Sequence, residues 1–276
     1  MSGADGGPWL FFGGPYGNLQ ALTRLRALAA EHEVPPARAV CTGDAVAYCA
    51  QPEETVALLR DWGCRAIAGN VEQQLAAGSD DCGCNFAPGT TCDVLSRDWY
   101  AYCRARLSPA SLAWMAALPP RLALEVGGRR VVVVHGAFSD VSAYVFRSTP
   151  WARKAAELAA AGADVVVAGH CGLPFAHAEG GRLWINAGVI GMPANEGRPR
   201  VWCLLATPEP GGALRWEHRP FGYDHAAAAA LMERAGLPAQ YSRTLRTGLW
   251  DNCDILPPEE TAARGRPLVL PPLVLG

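Results

Sequence analysis

The 276-residue chain predicts an α/β fold, and two observations carry that expectation. Short apolar runs alternate with stretches whose apolar residues recur at helical spacing, the pattern of the β-α units that build parallel sheets. Several of the short runs also end in a small or polar residue followed by a turn, as at Gly13-Gly14, Gly43-Asp44 and Gly69-Asn70. In open α/β sheets ligands bind beyond the carboxyl ends of the strands, so these turns are where chemistry is to be sought.

Taken in order, residues 9–13 read as a strand, and 18–32 as a helix with Leu19, Leu22, Leu25 and Leu28 on one face. Residues 37–41 give a second strand, 52–62 a helix opened by Pro52, and 64–68 a third strand. The rhythm breaks over 77–98, a Gly-, Asp- and Cys-rich stretch that reads as a long functional loop. Helical pattern returns at 98–106 and 109–118 and stops at Pro119-Pro120. Strands at 122–126 and 130–134 flank the Gly127-Gly128 turn as a hairpin. A helix over 151–161 leads into the strand 165–168, a second hairpin turns at Gly180-Gly181, and strands follow at 200–206 and 213–219. From Asp224 onward the chain offers one or two helices and a Pro-rich tail. The economical reading is a single domain over 1–276, with the Cys-rich loop as an insertion and 221–276 as a C-terminal extension. The apolar tail 268–275 packs either on its own core or on a neighbouring subunit.

Composition narrows the function. Half of the residues are hydrophobic, enough for a sizeable core, and 24 basic against 26 acidic residues leave a net charge of −2. Such a balance gives no polyanion-binding surface, so nucleic acid is not expected as a partner. No run approaches the roughly 18 apolar residues of a membrane helix, and Trp9–Phe12 is too short for a signal peptide. The expectation is a cytoplasmic protein without a membrane partner. Ten scattered cysteines then read as free, mostly buried thiols.

Four strand ends carry a residue able to hold a metal: Asp44, Asn70, His135 and His170. Singly, each reads more simply as a turn or structural residue. Together, one carboxylate, one amide oxygen and two imidazoles form a mixed O/N set suited to Mn, Fe or Zn rather than Ca or Mg.

In this order, Gly43-Asp44, Gly69-Asn70, His135-Gly136 and Gly169-His170 resemble the motifs of the calcineurin-like metallophosphoesterases. That family's set is Asp-x-His, Gly-Asp, Gly-Asn-His/x-Asp/Glu, His-Gly and Gly-His-x-His. The likeness extends to Gly17-Asn18-Leu19, Leu173-Pro174-Phe175 and Ile185-Asn186-Ala187-Gly188, and covers roughly 8–220. It implies an αββα sandwich of two mixed sheets flanked by helices, and hydrolysis of a small phosphorylated molecule, by a phosphatase or a phosphodiesterase. It also implies two metals about 3.5–4 Å apart, bridged by the Gly-Asp carboxylate.

This chain departs from that pattern on one side only. Asp-x-His is replaced by Gly14-Pro15-Tyr16, and the last His of Gly-His-x-His by Gly172. Three of the four ligands of one metal are thus lost. All four of the other, Asp44, Asn70, His135 and His170, remain, so the expected cofactor is one divalent ion per chain. Val71 stands where the family often has a proton-donating His after the Asn. Cys82, Cys84, Cys92 and Cys171 either supply further metal ligands or are buried free thiols, the commoner case. Tyr16 either donates a proton or fills the vacated volume, with filling preferred. Asn186, Asn195 and Arg198 fall where the family's loop borders the substrate, and Asn195, Glu196 and Arg198 are otherwise ordinary loop residues. His32, His177, His218 and His225 read as surface or structural, without partners. Two functional classes fit: a hydrolase with an altered, mononuclear site, or a catalytically weak scaffold with a binding or regulatory role. Iron–thiolate chemistry at the same site is a third.

Overall fold

The computed structural model describes residues 6–276. The first five, over which the expectations of a domain from residue 1 and of an N-terminus without a signal peptide extend, lie outside the described residues. The N-terminal half is β1 (Trp9–Phe12), α1 (Leu19–Glu31), β2 (Ala39–Cys41), α2 (Pro52–Trp62), β3 (Arg65–Ala66), α3 (Asn70–Ala77), α4 (Thr91–Arg106) and α5 (Pro109–Ala116). There follow β4 (Leu122–Val126), β5 (Arg129–Val133), α6 (Trp151–Ala161), β6 (Val165–Ala168), β7 (Phe175–Glu179) and β8 (Arg182–Asn186). The chain ends with β9 (Val201–Pro208), β10 (Leu214–Phe221), α7 (His225–Arg234), α8 (Ala239–Thr247), α9 (Pro258–Ala262) and β11 (Leu273–Leu275).

Two mixed sheets result, ordered β11-β10-β9-β1-β2-β3 and β4-β5-β6-β8-β7. β1, β2 and β3 run parallel, as do β5, β6 and β8, while hairpins and the tail supply the antiparallel edges. β1, β2 and β6 are apolar at every position because both of their faces are covered. In β1, Phe11 points between the sheets and meets Trp216 at a ring-centroid distance of 5.9 Å, whereas Phe12 points outward to Trp62 on α2 at 5.7 Å. Val165 and Val167 of β6 likewise join the inter-sheet core, and Val166 packs outward with Leu158 of α6. Helices therefore flank both outer faces, giving the αββα sandwich the sequence implies.

Three expectations change. The segment after Asn70 is helical, with Glu72 in the first turn of α3 closing a capping box on Gly69. The irregular stretch is correspondingly shorter than 77–98, because α4 already begins at Thr91. Thr90 caps it by accepting the Asp93 N–H at 3.3 Å, a Thr-x-x-Asp signal that the Cys-rich composition obscured. The C-terminal extension holds three helices, and its tail stays on the same chain: β11 pairs antiparallel with β10 and covers that sheet edge.

Candidate metal centre

The four candidate ligands sit past the carboxyl ends of β2, β3, β5 and β6, two neighbouring strands of each sheet. Two glycines let the loops approach. A Cβ on Gly43, at φ +97°, would lie 2.6 Å from the Gly69 nitrogen, and one on Gly69 would lie 2.3 Å from Asp44 Oδ1. Asp44 itself holds a left-handed φ of 56°, a conformation that costs a non-glycine residue about 1–2 kcal/mol. The buried Glu72 carboxylate pins that turn. It accepts N–H bonds from Asp44 at 2.8 Å, Ala45 at 2.7 Å and Gly69 at 2.7 Å.

Hydrogen bonds orient each donor atom. His135 Nδ1 lies 2.7 Å from the Thr42 carbonyl oxygen, which can only accept, so Nδ1 carries the proton and Nε2 presents a lone pair. Asn70 Nδ2 donates to the Cys82 carbonyl at 2.9 Å and to Cys84 Sγ at 3.3 Å, which turns its Oδ1 to within 3.0 Å of His135 Nε2. Asp44 Oδ2 lies 3.2 Å and His170 Nδ1 3.0 Å from the same nitrogen. Carboxylate, amide oxygen and imidazole lone pairs thus converge on one buried point.

Like-polarity lone pairs at this spacing need a positive centre between them. Without a metal, a proton takes that place. Burial opposes a charged His135, but the Asp44 carboxylate beside it outweighs burial and raises its pKa. His170 is driven down to about 3, by burial and then by the His135 charge. Burial also pushes Asp44 up, yet His135 and His170 win and its pKa is lowered. Glu72 rises to about 7, because burial and the Asp44 charge outweigh its N–H donors. One carboxylate, one amide oxygen and two imidazoles are a donor set of the kind that holds a divalent transition ion.

On the other side of the centre the space is filled. The Tyr16 ring lies over Gly14, where a Cβ would come within 2.3 Å of the ring. The aromatic ring therefore occupies the place an Asp at position 14 would need. Tyr16 is buried, and burial followed by the Asp44 charge raises its phenol well above its ordinary pKa.

The remaining sequence candidates divide. Cys84, Cys92 and Cys171 line a cavity of about 90 Å³ that also meets Tyr16, Asp44 and His170. None of them joins the ligand cluster: among the described residues only Asp44, His135 and His170 bring His, Cys, Asp or Glu donor atoms within 4.8 Å of one another in groups of three or more. Burial raises all three thiols, Cys92 to about 11 and Cys171 to about 12. Cys82 contributes its carbonyl to Asn70, and Cys92 donates to Asn252 Oδ1 at 3.3 Å. Asn186, Asn195 and Arg198 lie outside the cavity lining. Asn186 braces the His170 turn by donating to the Gly169 carbonyl at 3.2 Å and to Cys171 Sγ at 3.2 Å. Asn195 accepts the Trp250 N–H at 2.8 Å, and Arg198 is exposed. Glu196 is a buried anchor for Arg200, Trp202 and Leu268. Nor are all the other histidines unpartnered: His218 is buried 2.7 Å from the Asn186 carbonyl, and His177 lies 3.0 Å from Lys154 Nζ.

Sequence reasoning missed Glu72 as the clamp of the Asp44 turn, although its place three residues after Gly69 is a capping signal. It also missed the cavity walls Tyr48, Tyr144, Tyr241 and Trp250, which stand on irregular segments or the C-terminal extension and follow no motif.

Comparisons with known proteins agree with this architecture. A metallophosphoesterase from Sphaerobacter thermophilus superposes with a TM-score of 0.68 at 20% identity, over 89% of this chain and 100% of that one. A hypothetical protein from Pyrococcus horikoshii OT3 gives 0.72 at 17% identity, over 88% and 99%. At these identities the likeness establishes the fold. No curated protein matches the chain. The sequence profile of the calcineurin-like phosphoesterase superfamily domain matches residues 20–209, more than half of the chain, which places this protein in that superfamily.

Proposed function

We propose that this chain hydrolyses phosphoesters, as a phosphatase or phosphodiesterase acting on a small phosphorylated molecule, with one divalent ion (Mn, Fe or Zn) held by Asp44, Asn70, His135 and His170. The convergence of their lone pairs around His135 Nε2 is the observation that carries the reading. A bound ion would supply Lewis acidity to a phosphoryl oxygen and activate water for attack on phosphorus. The chain's own residues fix that geometry: the Thr42 carbonyl sets the His135 tautomer, and Glu72 holds the Asp44 carboxylate in place. The Tyr16 hydroxyl has no hydrogen-bond partner among the described residues and borders the cavity. Held protonated, it is a donor for a phosphoryl or leaving-group oxygen. Ten free cysteines favour a reducing compartment, which supports the cytoplasm.

The scaffold reading retains one specific support: the Tyr16 ring fills the place of a first-site ligand, and Val71 offers no proton. Elemental analysis of protein purified without added metal separates the two. One equivalent, lost in Asp44→Ala and His170→Ala, together with phosphoester turnover lost in His135→Ala, supports the hydrolase. One equivalent without turnover on any phosphoester identifies a scaffold, and no metal refutes both the ion and the enzyme.

A further inference from the structure

The cavity beside the metal centre has a composition that selects its ligand. Its walls are mainly rings and aliphatic groups, among them Tyr48, Tyr144, Tyr241, Trp250 and Ile255, with Asp44 and Asp251 as its acidic members. Among the described residues no Lys or Arg lines it. The rings are held against one another before any ligand arrives. Tyr48 lies 4.9 Å from Tyr16 and 4.7 Å from Tyr241 between ring centroids, and Tyr144 lies 4.4 Å from His170 and donates its hydroxyl to the Cys84 carbonyl at 3.1 Å. Ser142 Oγ donates to the Gly83 carbonyl at 2.7 Å and ties together two of the irregular segments that form the wall. The about 90 Å³ of free space compares with roughly 10–15 Å³ for one water on the same measure, so it admits several waters or a group of one-ring size.

Charge sets the second limit. A divalent ion on four ligands of which only Asp44 is anionic leaves a positive centre for one phosphoryl group. Any further phosphate would enter a low-dielectric wall without a cation, where an unpaired charge is strongly disfavoured. Aromatic faces instead favour a planar uncharged group by offset or edge-on stacking.

Resting on the hydrolase reading, we propose that the natural substrate carries a single phosphoryl group joined to an uncharged, planar group of about one ring, and that Tyr48, Tyr144, Tyr241 and Trp250 form the subsite for that ring. Nucleoside polyphosphates and inorganic polyphosphates are excluded as substrates by the same wall. Phenylphosphonate and methylphosphonate test this without hydrolysis, since they share a headgroup and differ only in the ring. On the metal-loaded protein, calorimetry is expected to give phenylphosphonate a Kd at least tenfold below that of methylphosphonate, with tripolyphosphate gaining nothing over inorganic phosphate. Ile255→Trp, which fills part of the cavity, should bring the two phosphonates to within about twofold of one another. Equal affinities in the wild-type protein, or a strong preference for tripolyphosphate, overturn the ring subsite and leave the metal reading standing. If neither phosphonate binds, the hydrolase reading fails, and the subsite is decided by phenol alone. Phenol binding that Ile255→Trp abolishes retains the subsite, and no phenol binding overturns it.

Discussion

Replacing Glu72 by Gln tests whether a side chain that touches no ligand-binding cavity holds the metal centre together. One oxygen of Glu72 accepts the N–H groups of Asp44 and Gly69, at 2.8 and 2.7 Å, and the other accepts that of Ala45 at 2.7 Å. Glutamine keeps one oxygen. Its best orientation saves the Asp44 and Gly69 bonds and aims an NH2 group at the Ala45 N–H, so one buried donor is orphaned against another. Losing a bond to a charged acceptor costs about 1.5–3 kcal/mol, and converting two charge-assisted bonds to neutral ones adds roughly 1 kcal/mol. Relief of the burial penalty that pushes Glu72 up to about 7 offsets part of this. A net loss of about 2–3 kcal/mol is expected in the metal-free protein, read as a lower urea midpoint at unchanged slope with fluorescence and circular dichroism transitions coincident. Metal affinity should fall about 10–100-fold, the usual consequence of disturbing a group that orients a ligand. A variant within 0.5 kcal/mol of wild type that binds metal within twofold of it would refute the clamp.

Three further outcomes follow from the geometry. Gly14→Asp alone is expected to destabilise by about 2 kcal/mol, because its Cβ meets the Tyr16 ring, whereas Gly14→Asp with Tyr16→His should recover most of that loss in a double-mutant cycle. Additive losses in thermal melts would show that the ring does not fill that place. Cys82→Ser with Cys84→Ser should leave metal stoichiometry unchanged, since no cysteine joins the ligand cluster, and a lost equivalent would return the thiolates to it. Lys154, the chain's one lysine, is buried and donates to the Arg147 and Thr149 carbonyls at 2.9 Å each. Burial lowers its pKa from 10.5 to about 8, so unfolding takes up a proton between those values and stability rises with pH across that window. Lys154→Met should flatten the rise, although it lowers stability at pH 7 by about 2 kcal/mol through the orphaned carbonyls.

Much of this was legible in the sequence because the relevant signals are local. α2 runs where Pro52 at its start and Gly63 after its end place it, and β6 falls where an unbroken Val run needs two covered faces. Asp44, Asn70, His135 and His170 could be marked because each follows a strand within four residues. What was not legible depends on distance in three dimensions. Two of the three Glu72 bonds run between α3 and the turn after β2, some 27 residues apart, and only the fold brings them together. Tyr144 comes from the segment between β5 and α6, Tyr241 and Trp250 from the C-terminal extension, and they share no period, so nothing in their spacing marks a common wall. The helix start at Thr90 was masked by a cysteine- and aspartate-rich composition that suggested a loop.

Three non-glycine residues around the centre, Tyr16, Asp44 and Tyr48, adopt left-handed φ values of 55°, 56° and 28°. Each is a conformation of order 1–3 kcal/mol above the ordinary regions, and such strain persists only where the surroundings over-determine it. For Asp44 the surroundings are visible: Glu72 grips the turn, and the carboxylate it presents sits 3.2 Å from an imidazole whose tautomer the Thr42 carbonyl fixes. No packing requirement explains that arrangement, since a buried carboxylate facing an amide oxygen and two imidazole lone pairs is more costly than an apolar contact of the same shape. For Tyr16 and Tyr48 the surroundings are the ring cluster and the cavity. The packing is thus aromatic on one side of the centre, while on the other Asp44, Asn70, His135 and His170 stand together with the buttresses behind them. That division is what the proposed single cation beside an apolar subsite requires.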